Sequence, residues 1–228
     1  MENKLSIFQK FVELFDKNGY CFYLVGGTVR DYFLHKELTD MDAVTDATPE
    51  EMKNIIPDAN FQFAKFGSVR YKYEDVKFDI TTLRKEESYL DSRHPTKITF
   101  VKDLKEDVKR RDFTINGMYL SHDLKVIDLV GGQDDLKQGI IRMIGNPENR
   151  LKEDPLRIIR AIRFSLDFDF VIEDSLDKAI RNNIDLLNRL NIDKVREDIK
   201  KITCQDKEKI ITKFSLYNIK HLLGVIEK

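Results

Sequence analysis

Two aspartates separated by a single residue, Asp40 and Asp42 in TDMDAVT, are the first residues of this chain whose type and spacing suggest chemistry. On a strand, residues two apart point to the same face, so the carboxylates stand side by side and repel. A hard divalent cation relieves that repulsion, and Mg²⁺ is commonly held by one or two carboxylates together with substrate phosphates. Ions held this way can activate an attacking hydroxyl and stabilise the leaving oxygen of a phosphoryl transfer. The plain alternative is a pair of solvated turn aspartates. The same spacing recurs in Asp167-Phe168-Asp169, which follows a helix with no glycine turn beside it and reads as structural. Context separates the two copies, not spacing.

That context is FYLVGGTVRDYFL, Phe22 to Leu34. An apolar strand ends in Gly26-Gly27 and feeds a helix, which aims backbone N–H groups and the positive helix end at whatever lies there. Phosphate suits such a place. Arg30, one turn into the helix, can add a charge-assisted contact. The competing reading is a tight strand-to-helix turn with Arg30 bridged to Asp31 or solvent. A phosphate cradle beside a metal-binding carboxylate pair is a rarer coincidence, and it points to nucleoside triphosphate chemistry.

The elements that must hold these residues follow from periodicity. Ser6 to Asn18 predicts an amphipathic helix with Ile7, Phe8, Phe11, Val12 and Phe15 as its apolar stripe. CFYLV is a buried strand, Thr28 to Leu34 a short helix and Leu38 to Thr45 a second strand. Thr48-Pro49-Glu50-Glu51 opens another helix. VRYKYEDVKFDITTL alternates on both sides of Glu74-Asp75 and predicts a hairpin. RKEESYLDSRHP, Arg84 to Pro95, has no period and reads as a mobile charged loop. DFTINGMYL reads as a helix capped by Asp112, and VIDLVGGQDDLKQGIIRMIG as two short strands around a second Gly-Gly. From Leu151 onward the chain reads as helical, ending in a weakly amphipathic stretch from Lys207 to Lys228. The prediction is α+β at the front and all-α behind, with a soft boundary near Gly139 to Arg150.

Composition narrows the class. The 228 residues carry a formal net charge of −1 at pH 7, which argues against a globally basic nucleic-acid coat. The two cysteines, Cys21 and Cys204, have no metal spacing, and the N-terminus lacks a signal-peptide core. A reduced, cytoplasmic protein without a membrane partner is expected. His35, His94, His122 and His221 are scattered and read as surface residues.

Five motifs occur in order with compatible gaps: LVGGTVRDYFL, TDMDAVTDATPEEM, RRDFTINGMYL, DLVGGQDDLKQG and EDPLRIIRAIRF. Together they make the chain resemble the class II tRNA nucleotidyltransferases, the CCA-adding enzymes and their bacterial poly(A) polymerase relatives, within the polymerase β superfamily. The similarity runs from about Tyr20 to about Ile202.

The resemblance implies a polymerase β-like nucleotidyltransferase head, a mixed sheet with flanking helices over residues 1–140. It implies an all-helical, nucleotide-selecting neck over 141–202, and leaves 203–228 as a short helical remnant of the body. It assigns Gly26, Gly27 and Arg30 to the triphosphate and Asp40 and Asp42 to the catalytic Mg²⁺ ions. Asp79, pointing away from the apolar side of its strand, is the candidate for a third carboxylate, against an ordinary solvated aspartate. Arg111 and Asp112 correspond to an element that contacts phosphates and ribose; a surface charge run capped by Asp112 is the bland alternative. Asp154 and Arg157, three apart and therefore neighbours on a helix, offer acceptors and a planar donor fork to a base edge. Arg160 and Arg163 continue the series toward the triphosphate. Read without the other motifs, these are Asp–Arg pairs decorating a helix.

The implied activity is addition of CCA to the 3′ end of tRNA, with CTP and ATP as substrates. Alternatives are a CC-adding or poly(A)-adding relative, or a catalytically silent RNA- or nucleotide-binding module. Two departures from the family stand out. Family members are longer, so either tRNA affinity is weak or an oligomer or partner chain supplies the missing surface; a trimmed chain would read the same. Gly117 stands where alanine is usual and should lower helix propensity. Retention of the RKEESYLDSRHP loop favours full CCA addition.

Overall fold

The computed structural model describes residues 2–89 and 95–225. They form two compact units, one of residues 2–87 and 95–133, the other of 88–89 and 134–225.

The first unit opens with α1 (Glu2–Asp16), β1 (Phe22–Val25), α2 (Gly27–Phe33), β2 (Met41–Thr45) and α3 (Pro49–Ile55). The chain continues with β3 (Ser68–Tyr73), β4 (Val76–Thr82), β5 (Arg84–Tyr89), β6 (Pro95–Phe100), α4 (Leu104–Asp107), β7 (Met118–Leu120) and β8 (Val126–Asp128), the last two residues of β5 belonging to the second unit. Six strands make a mixed sheet in the order β3-β4-β2-β1-β7-β8. β2 runs parallel to β4, while the β1–β2, β1–β7, β3–β4 and β7–β8 pairs are antiparallel. The helical period of α1 buries Ile7, Phe8, Phe11 and Phe15. Phe11 stacks on Phe78 of β4 at 4.5 Å between ring centroids, and Phe15 lies 4.7 Å from Phe22 of β1. This aromatic layer pins one face of the sheet and fixes the strands whose ends carry the acidic pair. Thr48 caps α3 with Pro49 behind it, as the sequence predicts, and Glu51 completes a capping box.

Three local expectations are corrected. DFTINGMYL is not a helix: a single 3₁₀ turn, Thr114–Asn116, is followed by strand β7 beside the central β1. Met118, Tyr119 and Leu120 are all buried, so the run satisfies its backbone in the sheet, with Gly117 ending the turn. RKEESYLDSRHP is not a loop over its described part. Arg84–Tyr89 and Pro95–Phe100 form a separate two-stranded sheet, while residues 90–94 lie outside the described residues. Its polar strand is steadied by the Arg84–Glu86 ion pair at 2.7 Å. The second strand begins at Met41 rather than Leu38, so Asp40 sits in the bend before it.

From α5 (Gly132–Gln138) the chain runs through β9 (Ile140–Ile141), α6 (Pro147–Glu153), α7 (Leu156–Asp167), β10 (Val171–Ile172), α8 (Asp174–Asn183), α9 (Ile192–Ile199) and α10 (Lys207–Leu216). The second unit is mostly helical; β9 falls where a short strand was expected after the second Gly-Gly, while its parallel partner β10 lies inside the stretch read as helical. α7 buries Leu156, Ile158, Ile159, Ile162 and Phe164, and the apolar stripe makes it the spine of this unit. Among the described residues no helix is long and apolar enough to cross a membrane.

Candidate active site

The β1–α2 turn is built around Gly26, whose backbone sits at φ 68°, ψ −134°, a conformation open in practice to glycine. A Cβ placed there would lie 3.6 Å from Asp42 Oδ2 and 3.8 Å from Arg111 Nη1. A side-chain-free bend, a carboxylate and a guanidinium therefore meet at one point. The antiparallel register of β1 and β2 brings the start of β2 to this bend. Thr28, buried in the first turn of α2, fixes the join: its Oγ1 accepts the Asp42 N–H at 2.8 Å and donates to the Asp40 carbonyl at 3.4 Å. Gly27 allows a second close approach, since a Cβ there would lie 3.3 Å from Arg30 Nη2.

Desolvation pushes the Asp42 carboxyl up to about 6, reinforced by Asp79 and opposed by Arg111 and Arg30, with Asp40 adding a smaller push. Asp79 is the direct register partner of Asp42 across the parallel β2–β4 pair. Its own carboxylate pairs with Arg70 at 2.9 Å, and the Arg70 guanidinium lies over the Phe63 ring. Beside these groups is a 750 Å³ cavity whose lining includes Asp40, Asn60, Arg70, Lys77 and Asp79. Crowded, mutually repelling carboxylates next to a cradle that any Cβ would fill fit a hard cation carrying phosphate ligands. Among the described residues no group of three or more acidic, histidine or cysteine side chains is arranged to hold an ion. Asp40 and Asp42 are thus the candidate pair, and the Arg70-paired Asp79 stands beside it.

The other first-unit candidates are braced from behind. Arg30 is buried; it donates to Asn116 Oδ1 at 2.7 Å and pairs with Asp31 at 2.9 Å, so the pairing foreseen by the bland reading is present. Asn116 Nδ2 donates to Asp112 Oδ1 at 3.2 Å, and the same oxygen accepts the Phe113 N–H at 2.7 Å. Arg111 is seated on Asp107, which is fully buried and also takes Arg110. Of the run read as surface charge, only Lys109 behaves that way, paired with Glu106 on the outside. Burial pushes the Asp107 carboxyl up, but Arg111 and Arg110 outweigh it and hold the group well below the usual range.

The second unit carries Asp154, Arg157, Arg160 and Arg163. Asp154 is not within a helix. It caps the end of α6, and Pro155 separates it from α7. Proline lacks an N–H and drives the preceding residue out of the helical region, here to φ −144°, ψ 95°. Asp154 Oδ1 accepts the Leu156 N–H at 3.1 Å, and the Arg157 N–H donates to its carbonyl at 3.1 Å. The expected helix-face pair is thus a junction pair. Buried Arg157 donates to the Arg150 carbonyl at 2.7 Å and to Glu153 at 3.2 Å. Arg160 is half-buried on α7, and Arg163 pairs with Asp198 of α9 at 3.2 Å.

Two look-alikes prove structural. Asp128 receives the N–H groups of Val130, Gly131, Gly132 and Gln133, so the second Gly-Gly turns its donors on its own chain. A Cβ on Gly132 would fall 2.2 Å from the Thr114 carbonyl oxygen, which makes glycine there a packing requirement. Asp167 accepts the Thr203 and Cys204 N–H groups, and Asp169 pairs with Lys209. The sequence reading missed Thr28, Asp107, Asn116 and Tyr119. Thr28 and Asn116 lie inside quoted motifs, whereas Asp107 sits in a charge run that gives no sign of burial.

The family model for the Poly A polymerase head domain matches residues 22–142. The chain is 40% identical over 184 residues to a CCA-adding enzyme of Lactobacillus helveticus, covering 81% of this chain and 46% of that protein. To a CCA-adding enzyme of Limosilactobacillus reuteri it is 41% identical over 187 residues, covering 82% and 46%. The Bacillus stearothermophilus CCA-adding enzyme in complex with CTP superposes with a TM-score of 0.84 at 29% identity, over 92% of this chain and 51% of that one. The Thermotoga maritima CCA-adding enzyme complexed with tRNA gives 0.79 at 27% identity, over 97% and 52%. The chain spans about half the length of the relatives it matches.

Proposed function

The chain belongs to the poly(A) polymerase head-domain family, and from that premise we propose that it adds CMP and AMP, from CTP and ATP, to the 3′ end of a tRNA without a nucleic-acid template. The 3′-hydroxyl of the RNA attacks the α-phosphorus, the bond to the β-phosphate oxygen breaks, and pyrophosphate leaves. The observation that carries this reading is the meeting of Asp42 and Arg111 at the side-chain-free Gly26 bend.

Asp40 and Asp42 would hold Mg²⁺, which when bound lowers the pKa of the attacking hydroxyl and offsets charge on the leaving group. Gly26 and Gly27 leave room for the triphosphate to approach the backbone, and Arg30 and Arg111 place positive charge on either side of it. Asp112, oriented by Asn116, faces the ribose, where a carboxylate accepts from a sugar hydroxyl. Asp154 and Arg157 read the base edge, with Arg157 braced by the Arg150 carbonyl and Glu153. Arg160 and Arg163 serve the phosphates. In this reading residues 1–140 are the catalytic head, 141–202 the selecting neck and 203–228 the start of the body.

Incorporation of labelled CTP and ATP into tRNA lacking its 3′ end tests the proposal. The expected result is Mg²⁺-dependent addition of C, C and A by the wild-type chain and none by Asp42→Ala. Sequencing the products distinguishes CCA from CC or A addition. Undiminished incorporation by Asp42→Ala refutes the proposed chemistry.

A further inference from the structure

Asp107 is the most deeply buried carboxylate near the site, at 0% exposure, and no role assigned so far uses it. Its two oxygens are divided between two arginines. Oδ1 accepts Arg110 Nε at 2.8 Å and the Arg84 backbone N–H at 3.2 Å. Oδ2 accepts Arg111 Nε at 3.1 Å, Arg111 Nη2 at 2.9 Å and the Tyr119 hydroxyl at 2.9 Å. The Tyr119 ring lies under the Arg111 guanidinium, 5.2 Å from its centre. A guanidinium is a planar fork, so seating one edge of it fixes the direction of the other. The edge seated on Asp107 is Nε–Nη2, while Nη1 is the nitrogen that reaches the Gly26 bend.

We propose that Asp107 is the positioning residue for Arg111, aiming its Nη1 edge at the triphosphate over the Gly26 turn. The inference rests on the nucleotide-transfer reading above. A buried carboxylate left without a counter-charge is strongly unfavourable, and so are two largely covered arginines left without theirs. Asp107 therefore has both an energetic reason to be ionised and a geometric consequence when it is. Arg110, with Glu86 at 3.8 Å on its far side, is held away from the same oxygen and keeps Oδ2 for Arg111. Tyr119, donating to Oδ2 from β7, closes the seat and explains why a buried tyrosine belongs in that strand.

A double-mutant cycle on Mg²⁺-CTP binding, measured by calorimetry, tests this. Asp107→Asn should weaken CTP about tenfold or more in the wild-type background and less than about twofold when Arg111 is already Ala. A fall in melting temperature from Asp107→Asn should remain in the Arg111→Ala background, though a smaller one, since Asp107 also holds Arg110 and the Arg84 N–H. Tyr119→Phe keeps the ring and removes one donor. It should weaken CTP by about threefold in wild type, with no change in the Arg111→Ala background. If Asp107→Asn does not fold, the Tyr119 cycle decides. Equal weakening in both backgrounds, or none in wild type, overturns the positioning role. So does an Arg111→Ala variant that binds CTP as wild type does. Absence of CTP binding by the wild-type chain itself overturns the nucleotide-transfer reading, a distinct result.

Discussion

Replacing Gly26 with alanine separates two demands that the structure makes on one residue. The backbone at φ 68°, ψ −134° is strained for any residue with a Cβ, at a cost of about 1–3 kcal/mol. At roughly 2–4 °C per kcal/mol for a chain of this size, the melting temperature should fall by roughly 2–12 °C. The methyl itself clashes with nothing, because 3.6 Å to Asp42 Oδ2 and 3.8 Å to Arg111 Nη1 are ordinary contacts, so the protein should still fold. It nevertheless fills the gap between carboxylate and guanidinium that a phosphate must enter. A loss of about 100-fold in kcat/KM for CTP incorporation is expected, equivalent to about 2.7 kcal/mol of transition-state stabilisation. Gly19→Ala is the matched control: φ is 83° there and nothing lies within 4 Å of the added Cβ. It should lower the melting temperature and leave kcat/KM unchanged. Calorimetry and steady-state incorporation on the three proteins provide the test. A Gly26→Ala enzyme that loses stability but keeps kcat/KM within about threefold of wild type would show that no phosphate approaches this bend.

The depressed carboxyl of Asp107 contributes stability that is present above its unfolded-state value of about 3.9 and lost as pH falls through the folded value. Wild-type melting temperature should therefore drop more steeply below about pH 4 than that of Asp107→Asn, and parallel curves would contradict the buried ion cluster. Asp169→Asn removes an exposed partner of Lys209 and should leave the melting temperature and incorporation essentially unchanged. Asp167→Ala should cost about 1 kcal/mol through the lost Thr203 and Cys204 N–H contacts; a loss of incorporation in either variant would make the second Asp-x-Asp functional. Burial, and then the Asp46 carboxylate, pushes the Cys21 thiol up to about 12, so at pH 8 alkylation of the native protein should spare it. Mass-mapped labelling as fast as in denaturant would refute that.

Local pattern made much of this molecule legible. The α1 stripe, the β3–β4 hairpin and the Thr48 cap each rest on neighbours a few residues apart, and periodicity reports such neighbours directly. The glycine bend and the acidic pair were readable for the same reason: each is a short run with an unusual composition. Strand β7 was not, because three consecutive buried residues carry no period of two, and only the sheet beside them decides their conformation. The charged strand β5 was hidden because what steadies it lies elsewhere in the chain: its ladder partner is β6, and Arg110 sits 3.8 Å from Glu86. Asp107 is the extreme case. In KEDVKRRD it looks like one more surface charge, and nothing short of the folded chain shows two arginines and a tyrosine closing on it. Asp154 illustrates the opposite error, a helical spacing interrupted by the proline that follows it.

Nucleotide transfer by this chain requires the Gly26 bend, Asp40, Asp42 and Arg111 to form one nucleotide site. Crystals grown with CTP and Mn²⁺, examined at the manganese absorption edge, measure this directly. The expected result is an anomalous peak bound by the Asp40 and Asp42 carboxylates, with the triphosphate lying over Gly26 and within reach of Arg111 Nη1. Manganese and triphosphate ordered elsewhere on the chain, with the bend bare, would contradict it.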